Sequence, residues 1–154
     1  SGYGQPLVGL RYFNVFGPRQ DPNGAYAAVI PRWVLSMMHG KPTEIYGDGK
    51  TSRDFCYVAN VVQVNLLAAT AKSALGRVYN AANEARMSLN QLHRHLRRLT
   101  GNSQKPVYKT FRDGDVRHSL ASTRAAQKDL GYHPTHTLEQ GLELTVHWFV
   151  NQTR

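Results

Sequence analysis

Cysteine is nearly absent. Cys56 is the only one in 154 residues, so no intrachain disulfide can form and a reducing compartment fits. Long apolar runs are missing too: no stretch approaches the roughly 20 residues of a membrane span. The opening Ser1-Gly2-Tyr3-Gly4-Gln5-Pro6 has no basic region leading into an apolar one and does not read as a signal peptide. Together these absences point to a cytosolic chain that does not enter a membrane. There is no internal repeat, low-complexity tract or long linker. Acidic residues are scarce, 10 against 19 Lys and Arg, for a formal net charge of +9. Such an excess attracts nucleic acid, acidic membrane or phosphorylated small molecules, and charge alone does not choose among them.

What is present describes a folded domain. Hydrophobic residues make up 41% of the chain, an ordinary globular fraction, and the length suffices for one domain with a real core. Arginine outnumbers lysine thirteen to six, which favours bidentate phosphate contact. Residues 7–13 read as a short buried strand followed by a Gly/Pro/Asn/Asp-rich loop to Gly24. Residues 25–39 read as a helix with Pro31 near its start and Gly40 at its close. Residues 43–46 and 53–58 read as strands of a hairpin about Gly47-Asp48-Gly49. Residues 59–72 read as a largely buried helix, and 77–81 as another strand. Ser88-Leu89-Asn90-Gln91 and Thr137-Leu138-Glu139-Gln140 are capping boxes, each opening a helix with an apolar stripe. A short helix from about Thr123 to Leu130 stops at Gly131. This alternation argues α/β. The strands at 7–13 and 77–81 suit the edge of a parallel sheet, which normally has more strands beside it.

Three places carry candidate chemistry. Arg53 sits beside Asp54 near a strand start: a surface ion pair, or a phosphate ligand on a rigid element. Arg112-Asp113-Gly114-Asp115-Val116-Arg117 packs two arginines and two carboxylates around a glycine. It is either a polar turn or a diphosphate clamp with an acid placed for ribose hydroxyls. Asn14 follows a strand where open α/β sheets place their ligand crevice, and it equally suits a turn cap.

In order and spacing, LRYFNVFGPRQDPNGAYAAVIPRW, IYGDGKTSRDFCYV and FRDGDVRHSLAS resemble the C-terminal half of bacterial UDP-N-acetylglucosamine 4-epimerases. These belong to the extended short-chain dehydrogenase/reductase family. The likeness runs from Leu10 to about Trp148. It implies an α/β fold, the C-terminal part of an extended Rossmann-like architecture: edge strands of the parallel sheet plus a small α/β substrate-binding subdomain. Residues 1–154 are then one substrate-binding portion, with the NAD-binding portion preceding it. The resemblance further implies that Asn14 hydrogen-bonds the substrate diphosphate, Ala28 and Val29 face the uracil, Arg53 and Arg112 grip the phosphates, and Asp115 binds the ribose. Arg86 approaches the nucleotide. Tyr12 borders the nicotinamide of a tightly held NAD, with Val15 near it. The implied partner is a UDP-sugar, N-acetylated or uronic, with homodimerisation common in the family. The implied reaction oxidises the sugar at C4, lets the keto form turn and returns the hydride to the other face.

The sequence departs from that family in having no G-x-x-G-x-x-G or G-x-G-x-x-G loop, hence no dinucleotide phosphate cradle. Tyr46-Gly47-Asp48-Gly49-Lys50 matches Tyr-x-x-x-Lys only as text, because its interior is a turn and the catalytic pair needs a helix. Gly49-Lys50-Thr51 imitates a P-loop end without its upstream glycine. No catalytic residue is therefore assigned, and the chain alone is expected to have little or no epimerase activity. A non-catalytic UDP-sugar-binding remnant is one alternative; an NAD-dependent dehydratase or decarboxylase is another. The histidines do not have metal-ligand spacing. The basic run from His93 to Arg98 reads as the solvated face of a helix rather than a nucleic-acid contact.

Overall fold

The computed structural model describes residues 7–24 and 28–152. Strands and helices alternate as expected for α/β: β1 (Gly9–Tyr12), β2 (Val15–Phe16), α1 (Val29–Met38), β3 (Glu44–Tyr46), β4 (Ser52–Asp54) and β5 (Cys56–Tyr57) come first. They are followed by α2 (Val58–Thr70), a 3-10 turn (Lys72–Ala74), β6 (Val78–Ala81), β7 (Arg86–Ser88), α3 (Leu89–Thr100), β8 (Val107–Lys109), α4 (Arg124–Leu130) and α5 (Leu138–Gln152). β1 pairs in parallel with β6, Gly9 opposite Val78 and Tyr12 opposite Ala81. β2 with β5 and β3 with β8 are also parallel, while β4 with β7 is antiparallel.

The expected hairpin across 43–58 does not form. β3 takes β8 as its partner and β4 takes β7, so the two strands that flank Gly47-Asp48-Gly49 diverge. The turn still demands its glycines: Gly47 (φ +83°) and Gly49 (φ +72°) are left-handed, and a Cβ at Gly49 would run into the Asn90 side chain. The helix expected over 25–39 starts at Val29, and its expected first turn, 25–27, lies outside the described residues. α2 is only half buried. Asn60, Val61, Val64 and Ala68 face inward, but Val62 and Leu66 are exposed. β1 and β6 likewise bury Tyr79 and Ala81 yet expose Tyr12 and Val78, and Leu7 just before β1 is exposed too.

Two apolar clusters hold the elements. One joins α1, α3 and α5 through Trp33, Val34, Met37, Leu92, Leu96, Leu142 and Val146, with Ile45 of β3 and Phe16 of β2. The other joins α2, β6 and α4 through Val64, Tyr79, Ala126 and Leu130 with Tyr132. Both capping boxes close. Ser88 Oγ accepts from Gln91 N at 3.3 Å, and the Gln91 side chain takes the Ser88 N–H at 2.9 Å. Thr137 and Gln140 exchange the same pair of bonds. Between the clusters, the buried Asn60 side chain accepts from the N–H groups of Thr135 and His136 and donates to the His136 carbonyl. It thereby fixes where the chain enters α5.

Candidate functional site

The strand period of two sorts β4 and its flanks into two faces. Thr51, Arg53 and Phe55 line a cleft of about 580 Å³. Ser52 and Asp54 face the other way: Ser52 Oγ lies 2.9 Å from His118 Nδ1, and the Asp54 carboxylate accepts from the backbone N–H of Asn83, Glu84 and Ala121. Burial pushes the Asp54 carboxyl above its ordinary value, against the pull of those three backbone donors. The strand that presents Arg53 is thus anchored from behind. Cys56 beside it is buried, and burial raises its thiol to about 11, so it is a packing residue rather than a nucleophile.

The remaining lining comes from four other segments. Asn14, between β1 and β2 in a left-handed conformation (φ 36°), donates its side-chain N–H to the Asp54 carbonyl at 2.9 Å. Ala28, the N-cap of α1, and Val29 open a wall continued by Trp33 and Ser36. Glu44 and Tyr46 of β3 form the third wall. Arg112 and Asp115 reach over the rim from a turn closed by Asp115 N to Arg112 O at 3.2 Å, with Gly114 left-handed at φ +79°. The Arg112 guanidinium lies 3.7 Å from the Tyr46 ring centroid, a stacked cation–π contact. Asp115 Oδ1 accepts from Arg53 at 2.7 Å.

Of the residues singled out from sequence, Asn14, Val15, Ala28, Val29, Arg53, Arg112 and Asp115 share this one cleft. Arg86 does not. It stands opposite Asp54 in β7 and lines a separate groove with Met87, His136 and Glu139. Tyr12 is also outside the cleft, and its hydroxyl donates to Asn65 of α2 at 2.9 Å. Sequence reasoning missed Tyr46, Trp33 and Glu44. Tyr46 had a usable signal, an aromatic residue alternating with buried Ile45 just before a glycine turn. Trp33 offered none, since a helix aromatic reads as core. The Tyr46–Lys50 stretch is a turn, not a helix, as its two left-handed glycines require. His93 is buried edge-on against Trp33, where burial, with Arg97 and Arg94, lowers its pKa. Among the described residues no group of three or more His, Cys, Asp or Glu could hold a metal, and no helix is long and apolar enough to cross a membrane.

An arginine-rich cleft beside the ends of parallel strands in an α/β chain is the setting of nucleotide-binding enzymes, and comparison defines which. Residues 1–82 match the NAD dependent epimerase/dehydratase family, and the chain belongs to it. It is 41% identical to the UDP-glucose 4-epimerase of Thermotoga maritima, solved with UDP-glucose, at a TM-score of 0.94 over 99% of this chain and 48% of that one. It is 40% identical to a UDP-N-acetylglucosamine 4-epimerase of Methanobrevibacter ruminantium in complex with UDP-N-acetylmuramic acid, at a TM-score of 0.89 over 97% of this chain and 48% of that one. A UDP-N-acetyl-alpha-D-glucosaminuronate decarboxylase of Bacillus cytotoxicus is 32% identical over 95% of this chain and 47% of its own length. The chain spans about half the length of the curated relatives it matches. The parallel strand pairs match the Rossmann-like fold of these neighbours. NAD is the cofactor of the family. The described residues do not by themselves fit it: among them no glycine-rich strand-to-helix turn offers a cradle for its diphosphate.

Proposed function

We propose that this chain is the substrate-binding portion of a UDP-N-acetylglucosamine/UDP-N-acetylgalactosamine 4-epimerase, or of its uronic-acid counterpart. The observation that carries the reading is the convergence of Asn14, Arg53, Arg112 and Asp115 on one cleft, although they lie far apart in sequence. Arg53 and Arg112 bind the diphosphate through charge-assisted bonds, and Asn14 adds a neutral donor at the strand end. Ala28 and Val29 give the base a small apolar wall, and Tyr46 offers a ring for it to stack on. Asp115 accepts the ribose hydroxyls. Binding energy from this non-reacting nucleotide positions the sugar for chemistry performed elsewhere. The exposed apolar residues of β1, β6 and α2 fit a face on which a cofactor-binding portion packs, and on this reading the chain alone turns nothing over.

Titration calorimetry of the chain with UDP and with UDP-N-acetylglucosamine tests the reading. Saturable binding of both is expected. Arg53→Ala should weaken it at least about tenfold, the worth of a charge-assisted bond. Absence of heat with either ligand would overturn the proposal. A second reading, decarboxylation of a UDP-hexuronate, is favoured by the Bacillus cytotoxicus relative. Carbon dioxide release, assayed with a UDP-hexuronate after a cofactor-binding portion is supplied, would select it over epimerisation.

A further inference from the structure

We propose that Asp115 is the residue by which this cleft separates nucleoside diphosphates from phosphate anions that carry no ribose. The inference rests on the nucleotide reading above and adds a second task for Asp115. Arg53 is already engaged. One of its terminal nitrogens donates to the Ser52 carbonyl at 3.1 Å, and the other to Asp115 Oδ1 at 2.7 Å. The Arg53 side chain is only 17% exposed against 40% for Asp115, so the arginine has little water to replace the carboxylate.

The carboxylate is also held in place. Its turn is fastened on one side by Arg112 over Tyr46 and on the other by Arg117 to Asp48 at 3.1 Å. Backbone bonds from Ser52 N to Arg117 O at 2.9 Å and from Ser119 N to Ser52 O at 3.1 Å tie the segment after it to β4. A phosphate that takes the Arg53 nitrogen now paired with Asp115 displaces a preorganised internal anion and leaves it unpaired, and one that uses the other guanidinium N–H groups sits beside that anion's negative charge. A ribose diol cancels this cost by donating two hydroxyls to the released carboxylate. Inorganic pyrophosphate has no such donor and bears the whole cost. The same side chain thus opposes bare phosphates and accepts nucleotides.

The test is titration calorimetry of the 154-residue chain with UDP and, separately, with inorganic pyrophosphate. It compares wild type, Asp115→Asn, Asp115→Ala and the charge control Asp113→Asn, with thermal melts reporting folding. Pyrophosphate should bind both Asp115 variants about three- to fivefold more tightly than wild type, the effect of losing one partly exposed ion pair. Asp113→Asn should change it less than about twofold, and UDP should bind the Asp115 variants no more tightly than wild type. Three results would overturn the proposal: no gain for pyrophosphate in either Asp115 variant, an equal gain in Asp113→Asn, or a UDP gain matching the pyrophosphate gain. A wild-type chain that ignores UDP would remove the nucleotide reading, while the pyrophosphate comparison would still decide whether Asp115 guards Arg53.

Discussion

Single side chains divide here into those that hold the cleft and those that face it. Asn60 is buried and makes bonds through both its amide nitrogen and its oxygen to Thr135 and His136. Asn60→Ala strands those backbone groups and should cost about 2–4 kcal/mol in urea unfolding, without altering the pattern of UDP contacts. Tyr46 is the opposite case, a rim residue whose ring carries Arg112. Tyr46→Leu should weaken UDP binding several-fold while leaving the melting temperature nearly unchanged. Equal loss for pyrophosphate would show that the ring acts only through Arg112 and not as a platform for the base. Arg53, Arg112 and Asp115 were legible in the sequence because the resemblance fixed their register. Their spacing alone left polar turns and ion pairs equally open.

Elements were legible where their signals are local. Both capping boxes, and Gly101 and Gly131 as left-handed helix ends, sit where the sequence placed them. The pairing of β3 and β4 was not legible, because alternation within a three-residue strand does not name its partner and the partners lie more than thirty residues away. Helix α5 docks on β5 through Gly141, where an added Cβ would come within 2.8 Å of the Tyr57 side chain. Gly141→Ala should destabilise by about 1–3 kcal/mol through overpacking, read from the denaturation midpoint. Glu84 ties the connection between β6 and β7 to the start of α4: its carboxylate accepts from the Thr123 hydroxyl at 2.9 Å and from Gln127 at 3.1 Å. The Thr123 bond is the main cause of a pKa held below the ordinary 4.5. A depressed acid stabilises the fold above its unfolded pKa, and that contribution is lost as pH falls through the folded value. Glu84→Gln should therefore melt lower than wild type at neutral pH, with the gap closing as pH drops through and below 4.5. A gap that stays constant down to acid unfolding would contradict this. Asp54 acts with the opposite sign, since burial raises its pKa.

At the scale of the whole molecule, the region about β1, β6 and α2 presents exposed apolar side chains. Here β1 pairs with β6 and, like every strand among the described residues, has one partner; Leu7, Tyr12, Val62, Leu66 and Val78 are exposed. An open strand edge with an apolar rim invites association. The isolated chain should sediment with increasing mean mass as concentration rises, and Leu66→Glu should reduce that trend. The central claim, that the cleft and not the Arg86 groove receives the nucleotide, is tested most directly by titrating isotopically labelled chain with UDP and following backbone amide shifts. The account predicts perturbations centred on Asn14, Ala28, Val29, Arg53 and the Arg112–Asp115 turn. No perturbation, or one centred on the groove about Arg86 and His136, would contradict it.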